Sequence, residues 1–99
     1  MVNHIVLWNL KEELNETERK EAAMQIKQRL EGIKETVSGI VSLELVINEA
    51  SSSNKDIALI SKFESWEDLQ NYQISPAHVE AGKYVGSVTC QRSCFDYEE

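Results

Sequence analysis

The chain has 99 residues, of which 41% are hydrophobic, and carries a net charge of −7 at pH 7. This length suits one domain over residues 1–99 and leaves no room for a second. With only 10 Lys and Arg residues, the chain lacks the clustered cations that nucleic acids or anionic membrane surfaces require, so neither is an expected partner. No apolar run approaches the ~20 residues of a membrane-spanning helix, and no basic leader precedes an apolar stretch. The simplest prediction is a cytoplasmic protein.

The first half of the chain predicts a strand, a helix and a second strand. Residues 3–10 alternate along a strand, and Asn15 has the chemistry and position of a helix N-cap. Apolar residues recur at helical spacing from Ala22 to Val37, which predicts one continuous helix ended by Ser38 and Gly39. Residues 41–47 then alternate as the second strand.

The second half predicts two more strands around a broken helix. The elements are, in order, a Ser-rich loop over residues 48–56, a strand over residues 57–63, a short helix capped by Ser65, a helix that begins with Ser75 and Pro76 and runs to about Val85, and a strand over residues 87–97. The order β-α-β-β-α-β is typical of the ferredoxin-like α+β fold with a four-stranded antiparallel sheet.

Apolar residues occupy both faces of several predicted strands. On the first strand, Ile5 and Leu7 lie opposite Val6 and Trp8. Helices cover one face of such a sheet, and leaving about five apolar side chains exposed on the other would forgo several kcal/mol at ~25 cal/mol per Å². The pattern predicts a homodimer through the sheet face, that is, a dimeric α/β barrel. A monomer with scattered surface apolar residues is the alternative.

The two cysteines, Cys90 and Cys94, are predicted to be buried free thiols. Four residues along a strand span ~13 Å, which exceeds the reach of a disulfide. No cluster with metal-ligand spacing, phosphate-binding glycine loop or Ser-His-Asp set is present. The sequence therefore predicts no metal and no cofactor.

Four segments in chain order resemble the stress-responsive A/B-barrel (Dabb) family. They are residues 4–7 (HIVL), 63–65 (FES), 72–79 (YQISPAHV) and 95–97 (FDY). The resemblance implies a homodimeric ferredoxin-like barrel, usually without a cofactor. The chain is also similar to the olivetolic acid cyclase-like members of this family. One of these members is a plant enzyme that closes a linear polyketide by aldol condensation.

In that cyclase a tyrosine and a histidine act together, with a second histidine on the first strand, and the resemblance carries these roles onto Tyr72, His78 and His4. The chain departs from the cyclase elsewhere. Ala22 and Ile26 replace aromatic residues of the first helix, and Trp8 replaces a smaller aliphatic residue. Ser75 likewise replaces a histidine before the proline.

The residues themselves also give His78 a chemical role. If Ser75 is the N-cap, His78 lies in the first helical turn, where the helix dipole disfavours an imidazolium. A neutral imidazole can act as a general base, with Tyr72 orienting it by a hydrogen bond and His4 donating to a developing enolate oxygen. The alternatives are a structural Tyr72–His78 hydrogen-bond pair, simple ligand binding, and a satisfied core position for His4.

Four further residues are expected to form the wall of a pocket for a small apolar or carbonyl ligand: Val6, Trp8, Ile26 and Arg92. Arg92 is more readily explained by an internal salt bridge than by an anionic ligand. Both tryptophans, Trp8 and Trp66, are expected in the core.

The sequence thus predicts a cofactor-free lyase, cyclase or isomerase that uses His78 as base on a small carbonyl compound. One alternative is a non-catalytic ligand-binding or stress-response module, and another is a cofactor-free monooxygenase. A cavity above roughly 300 Å³ that reaches His4 and His78 favours the enzyme over the module.

Overall fold

The computed structural model describes residues 1–99 as a four-stranded sheet with three helices. The elements are β1 (Val2–Leu10), α1 (Glu16–Glu31), a 3-10 turn (Gly32–Glu35), β2 (Ile40–Ile47), β3 (Ile57–Phe63), α2 (Trp66–Ile74), α3 (Pro76–Val88) and β4 (Thr89–Glu98). The strand order is β2-β3-β1-β4, and all neighbouring pairs are antiparallel. The predicted ferredoxin-like α+β fold is confirmed. None of the helices has the length and apolar character needed to cross a membrane.

β1 lies at the centre of the sheet, where it pairs with β3 and β4. His4 lies opposite Ser61 on β3 and opposite Asp96 on β4. The Ser61 hydroxyl donates to the backbone oxygen of His4 at 2.7 Å, which satisfies a buried polar group within the sheet. The register therefore fixes His4 rigidly on the inner face, the one that packs against the helices.

The predicted helix starts are confirmed by their hydrogen bonds. Asn15 and Glu18 form a reciprocal capping box on α1. The Ser65 hydroxyl accepts from the Asp68 backbone N–H at the start of α2. Ser75 both ends α2 and caps α3, with Pro76 in the first turn.

The predicted end of the first helix is wrong. α1 ends at Glu31 because Gly32, a poor helix former, occupies the C-cap, and the chain continues as a 3-10 turn. Gly39 instead serves the turn into β2. Its φ of 84° is left-handed, and a Cβ there would lie 2.3 Å from the Asp68 carboxylate, so both backbone and space require glycine.

The boundary between the last helix and strand also differs from the prediction. α3 continues past Gly86 to Val88, and β4 begins at Thr89, whose hydroxyl donates to the Val85 backbone oxygen at 2.7 Å. Simple alternation along the predicted last strand would place Cys90 and Cys94 on one face, but a bulge puts them on opposite faces. Between the pairs Asn9–Cys90 and Leu7–Ser93, β4 has two residues where β1 has one. This bulge is centred on Gln91, whose φ is 53°, and it reverses the facing of every later residue.

The two tryptophans, both predicted in the core, differ in burial. Trp8 is buried as expected, but Trp66 is 44% exposed, and its indole N–H donates to Glu98. The prediction that Trp66 lies in the core is wrong, because it occupies the first position of α2 at the surface.

The outer face, on the side of the sheet without helices, is apolar, as the strand pattern predicts. One row of cross-strand neighbours runs Glu44, Ile60, Ile5 and Phe95. Ile60 is 42% exposed and Phe95 is 66% exposed. The Phe95 ring also contacts that of Tyr97, at 5.8 Å between centroids. The largest apolar side chains of this face are thus in water in the single chain.

Candidate functional site

A cavity of about 340 Å³ lies between the inner face of the sheet and the helices. Six predicted site residues line it: His4, Val6, Trp8, Tyr72, His78 and Arg92. The seventh, Ile26, is fully buried in the core and does not line the cavity. Larger depressions of about 440, 510 and 600 Å³ lie elsewhere on the molecule, but no histidine lines any of them. The inner cavity is therefore the one that brings His4, Tyr72 and His78 together.

Tyr72 projects from α2 into the wall of this cavity. It is fully buried, and its hydroxyl has no hydrogen-bond partner in the protein. The ring packs against Phe63 at 5.0 Å between centroids. Burial raises the pKa of Tyr72 to about 12, so the phenol stays protonated near neutral pH and can act only as a donor or neutral acceptor.

His78 lies in the first turn of α3, as predicted from the Ser75 cap. Its backbone N–H donates to the Ser75 hydroxyl at 3.2 Å. Burial lowers the pKa of the ring, and the nearby charges of His4 and Arg92 add to this effect. A hydrogen bond with the Gln73 backbone opposes it. The net direction favours the neutral imidazole, which keeps a lone pair available at pH 7.

Tyr72 and His78 contact each other through their rings. The centroids are 4.6 Å apart and the ring planes meet at 62°, an edge-to-face geometry. The expected hydrogen bond between the two side chains is absent, because the Tyr72 hydroxyl is unpaired. In this conformation, therefore, Tyr72 does not orient His78 through a hydrogen bond, and the two side chains do not form the structural hydrogen-bond pair that was the alternative.

His4 is 2% exposed, and its Nδ1 is hydrogen-bonded to a carboxylate oxygen of Asp96. Because Nδ1 is engaged in this way, Nε2 is the ring nitrogen left for the cavity. The Cys94 thiol lies 3.9 Å from the same Nδ1 and 3.6 Å from the same carboxylate oxygen. Sequence reasoning missed Asp96, although it falls two residues after Cys94 and so shares its face of the strand.

Arg92 lies at the cavity edge but is exposed, and no carboxylate lies within ion-pair distance of it. The expected internal salt bridge is therefore wrong, since the residue follows the bulge at Gln91 and turns toward solvent. The expectation of buried thiols is also wrong, because Cys94 is exposed and Cys90 is only half-buried. Partial burial and Asp96 raise the pKa of the Cys94 thiol, while Arg92 opposes this shift.

The family model described as the Stress Responsive A/B Barrel Domain matches residues 2–99. A dimeric protein of unknown function and ferredoxin-like fold from Bacteroides fragilis NCTC 9343 is 32% identical, with a TM-score of 0.92, and the match covers 99% of this chain and 95% of that one.

More distant solved structures share the fold. A dimeric ferredoxin-like protein of unknown function from Thermobifida fusca is 14% identical, with a TM-score of 0.84 and coverage of 99% and 90%. A hydroxynitrile lyase from Passiflora edulis is 17% identical, with a TM-score of 0.74 and coverage of 97% and 90%. None of the curated proteins matches the chain.

Proposed function

The chain belongs to the stress-responsive A/B barrel family, and from this premise we propose that it is a homodimeric lyase, cyclase or isomerase for a small carbonyl compound, with His78 as general base. Side chains of the protein would carry out the proton transfer without a cofactor. The observation that carries the proposal is the unpaired hydroxyl of Tyr72, a residue that lines the inner cavity and whose ring contacts that of His78. A buried hydroxyl without a partner costs about 1–3 kcal/mol, and a ligand oxygen in the cavity would offset that cost.

The two side chains have complementary chemistry. The neutral His78 ring accepts a proton from a carbon next to the carbonyl, the electron pair of that C–H bond forms the C=C bond of the enolate, and the π pair of the carbonyl moves to its oxygen. Tyr72 then donates its O–H to the developing enolate oxygen, and its raised pKa keeps that proton on the phenol. Asp96 fixes the ring of His4, so that Nε2 can take part in the same site.

The size of the cavity limits the ligand. A volume of about 340 Å³ is near the lower end of the ~300–1,000 Å³ range of small-molecule sites. Val6 and Trp8 add apolar surface, and Arg92 adds a cation at the edge. These features suit a small, mostly apolar carbonyl compound.

The related structures support the proposal at the level of the fold. The neighbour from Bacteroides fragilis is dimeric, which agrees with pairing through the exposed apolar face that includes Ile60 and Phe95. The neighbour from Passiflora edulis is a hydroxynitrile lyase, so the same fold accommodates a lyase. A cytoplasmic location stays a prediction from the sequence.

A panel of β-polyketo and enol-lactone compounds tests the function. For any compound that is turned over, His78→Ala should lower kcat/KM by at least about 100-fold, the usual contribution of a general base. Val79→Ala is the matched control, because Val79 is the next residue on the same helix and is 49% exposed. It should leave kcat/KM unchanged.

Two outcomes would overturn the proposal. Turnover that is unchanged in His78→Ala would remove His78 from the role of base. Compounds that bind in the cavity without any turnover would instead identify a non-catalytic binding module.

A further inference from the structure

Three potential metal ligands lie together on the inner face of the sheet, where β1 pairs with β4. They are the Nδ1 of His4, the Sγ of Cys94 and a carboxylate oxygen of Asp96, and all three atoms lie within 4.8 Å of one another. The thiol sulfur is 3.9 Å from the His4 nitrogen and 3.6 Å from the Asp96 oxygen.

Strand pairing holds this cluster in place. His4 lies directly opposite Asp96 in the antiparallel register, and Cys94 is two residues earlier on the same face of β4. The bulge at Gln91 sets that facing, since without it the residues of β4 beyond it would point to the other side. Side chains on paired strands are held more rigidly than side chains on loops, so the three ligand atoms are preorganised.

Thiolate, imidazole and carboxylate together are a ligand set for Zn²⁺. Zinc binds these groups at roughly 2.0–2.3 Å in a tetrahedron, which places the ligand atoms about 3.3–3.6 Å apart. Both distances from the Cys94 sulfur are close to that range. The His4–Asp96 pair is tighter because the two groups share a hydrogen bond. A metal ion would replace the shared proton, and a small side-chain rotation would open the gap.

We propose that His4, Cys94 and Asp96 form a zinc site beside the inner cavity, which His4 alone of the three lines, with the fourth coordination position open to water or to a ligand oxygen. Sites with three protein ligands and one open position are the kind that zinc enzymes use, whereas structural sites have four protein ligands. The ion has an entry path, because Cys94 is exposed and the Asp96 side chain is 28% exposed. Arg92 is the cation near the thiol, and since it is exposed and forms no ion pair it can move aside.

Zinc binding would change which nitrogen of the His4 ring carries the proton, and the proposed role of His78 as a base does not depend on this change. With the metal on Nδ1, the neutral ring carries its proton on Nε2 and donates it toward the cavity. Without the metal, a neutral ring whose Nδ1–H donates to Asp96 has an acceptor at Nε2. The metal would therefore convert His4 from an acceptor to a donor. This inference does not rest on the proposed function, because metal binding can be measured without a substrate.

The test is titration of the purified full-length protein with Zn²⁺ by isothermal calorimetry, and with Co²⁺ by absorption spectroscopy, in a non-thiol reductant. We expect one ion per chain and a thiolate-to-cobalt charge-transfer band. Cys94→Ser should remove the band and weaken zinc binding by more than about 100-fold, since loss of even an outer-shell partner costs about 10- to 100-fold. Asp96→Asn should also weaken binding. Both side chains are at least partly exposed, so these variants should fold.

Cys90→Ser is the matched control, because Cys90 precedes the bulge and lies four residues before Cys94, and its partner Asn9 lies five residues after His4. It should retain wild-type affinity and the cobalt band. The proposal is overturned if Zn²⁺ does not bind at micromolar concentration, or if Cys94→Ser binds as tightly as the wild type. It is also overturned if Cys90→Ser, rather than Cys94→Ser, removes the band.

Discussion

The two faces of the sheet place groups in opposite environments. The inner face and the helices that cover it enclose the unpaired hydroxyl of Tyr72, whereas the outer face leaves Ile60 and Phe95 in water. Each arrangement costs free energy in the isolated chain. Under the proposed function, a ligand in the cavity would relieve the cost on the inner face, and a second chain would relieve the cost on the outer face. The groups that each face leaves unsatisfied therefore indicate what kind of partner that face would bind.

The largest effect is expected on the outer face. Phe95→Asp places a charge where the second chain is proposed to pack, and an unpaired buried charge costs at least about 3 kcal/mol. The dimer should therefore weaken by roughly 100-fold. Sedimentation velocity at micromolar concentration should show a dimer for the wild type and a monomer for the variant.

Met24→Asp is the control for that experiment. Met24 is 49% exposed on α1, on the helical side of the molecule, so the same change of chemistry should leave the dimer intact. A wild-type monomer, or a dimer that Met24→Asp disrupts and Phe95→Asp does not, would contradict the assignment of the outer face.

In the inner cavity, removal of the Tyr72 hydroxyl oxygen should lower activity without lowering stability. Tyr72→Phe deletes the unpaired hydroxyl, so the free energy of unfolding should stay equal or rise by up to about 1–3 kcal/mol. Turnover of any substrate should fall by about 100-fold or more, the usual effect of losing a donor to a developing oxyanion. Urea unfolding and steady-state kinetics measure the two quantities. A destabilised variant with full turnover would show that the hydroxyl is structural.

The smallest effect is the pH dependence of stability that His78 contributes. Its pKa is lowered in the folded protein, so between that pKa and the unfolded value of about 6.5 the unfolded chain binds more protons. The contribution of His78 to the free energy of unfolding is fully present above about pH 6.5, and it is lost as the pH falls through the pKa of His78 in the folded protein. In His78→Gln, urea unfolding from about pH 7 to 5 should show a shallower loss than in the wild type. Parallel curves would contradict the direction of the shift.

Much of the fold is predictable because local signals agree. Caps at Asn15, Ser65 and Ser75 locate the helix starts, and strand alternation identifies the outer face. Helix ends are less predictable, since Gly32 ends α1 early whereas Gly86 is accommodated within α3. This difference depends on tertiary packing, which the spacing of apolar residues along the helix does not encode.

The site is predictable only in part. His78 and Tyr72 belong to one segment around a helix break, so their proximity follows from the sequence. Asp96 and Cys94 meet His4 only through strand pairing, across a separation of about 90 positions, and ligands brought together in this way have no characteristic spacing. The bulge at Gln91 also decides which way Arg92 faces, and no sequence signal indicated it.

The central claim, that His78 is a base in a carbonyl site, is tested most directly by proton exchange. Deuterium incorporation into the acidic C–H positions of small 1,3-diketones can be followed by ¹H NMR in D₂O, and it requires neither the natural substrate nor a complete reaction. The wild type should accelerate exchange over buffer, and His78→Gln should lose this acceleration by about 100-fold or more, while Val79→Ala retains it. Equal exchange rates for wild type and His78→Gln would contradict the account.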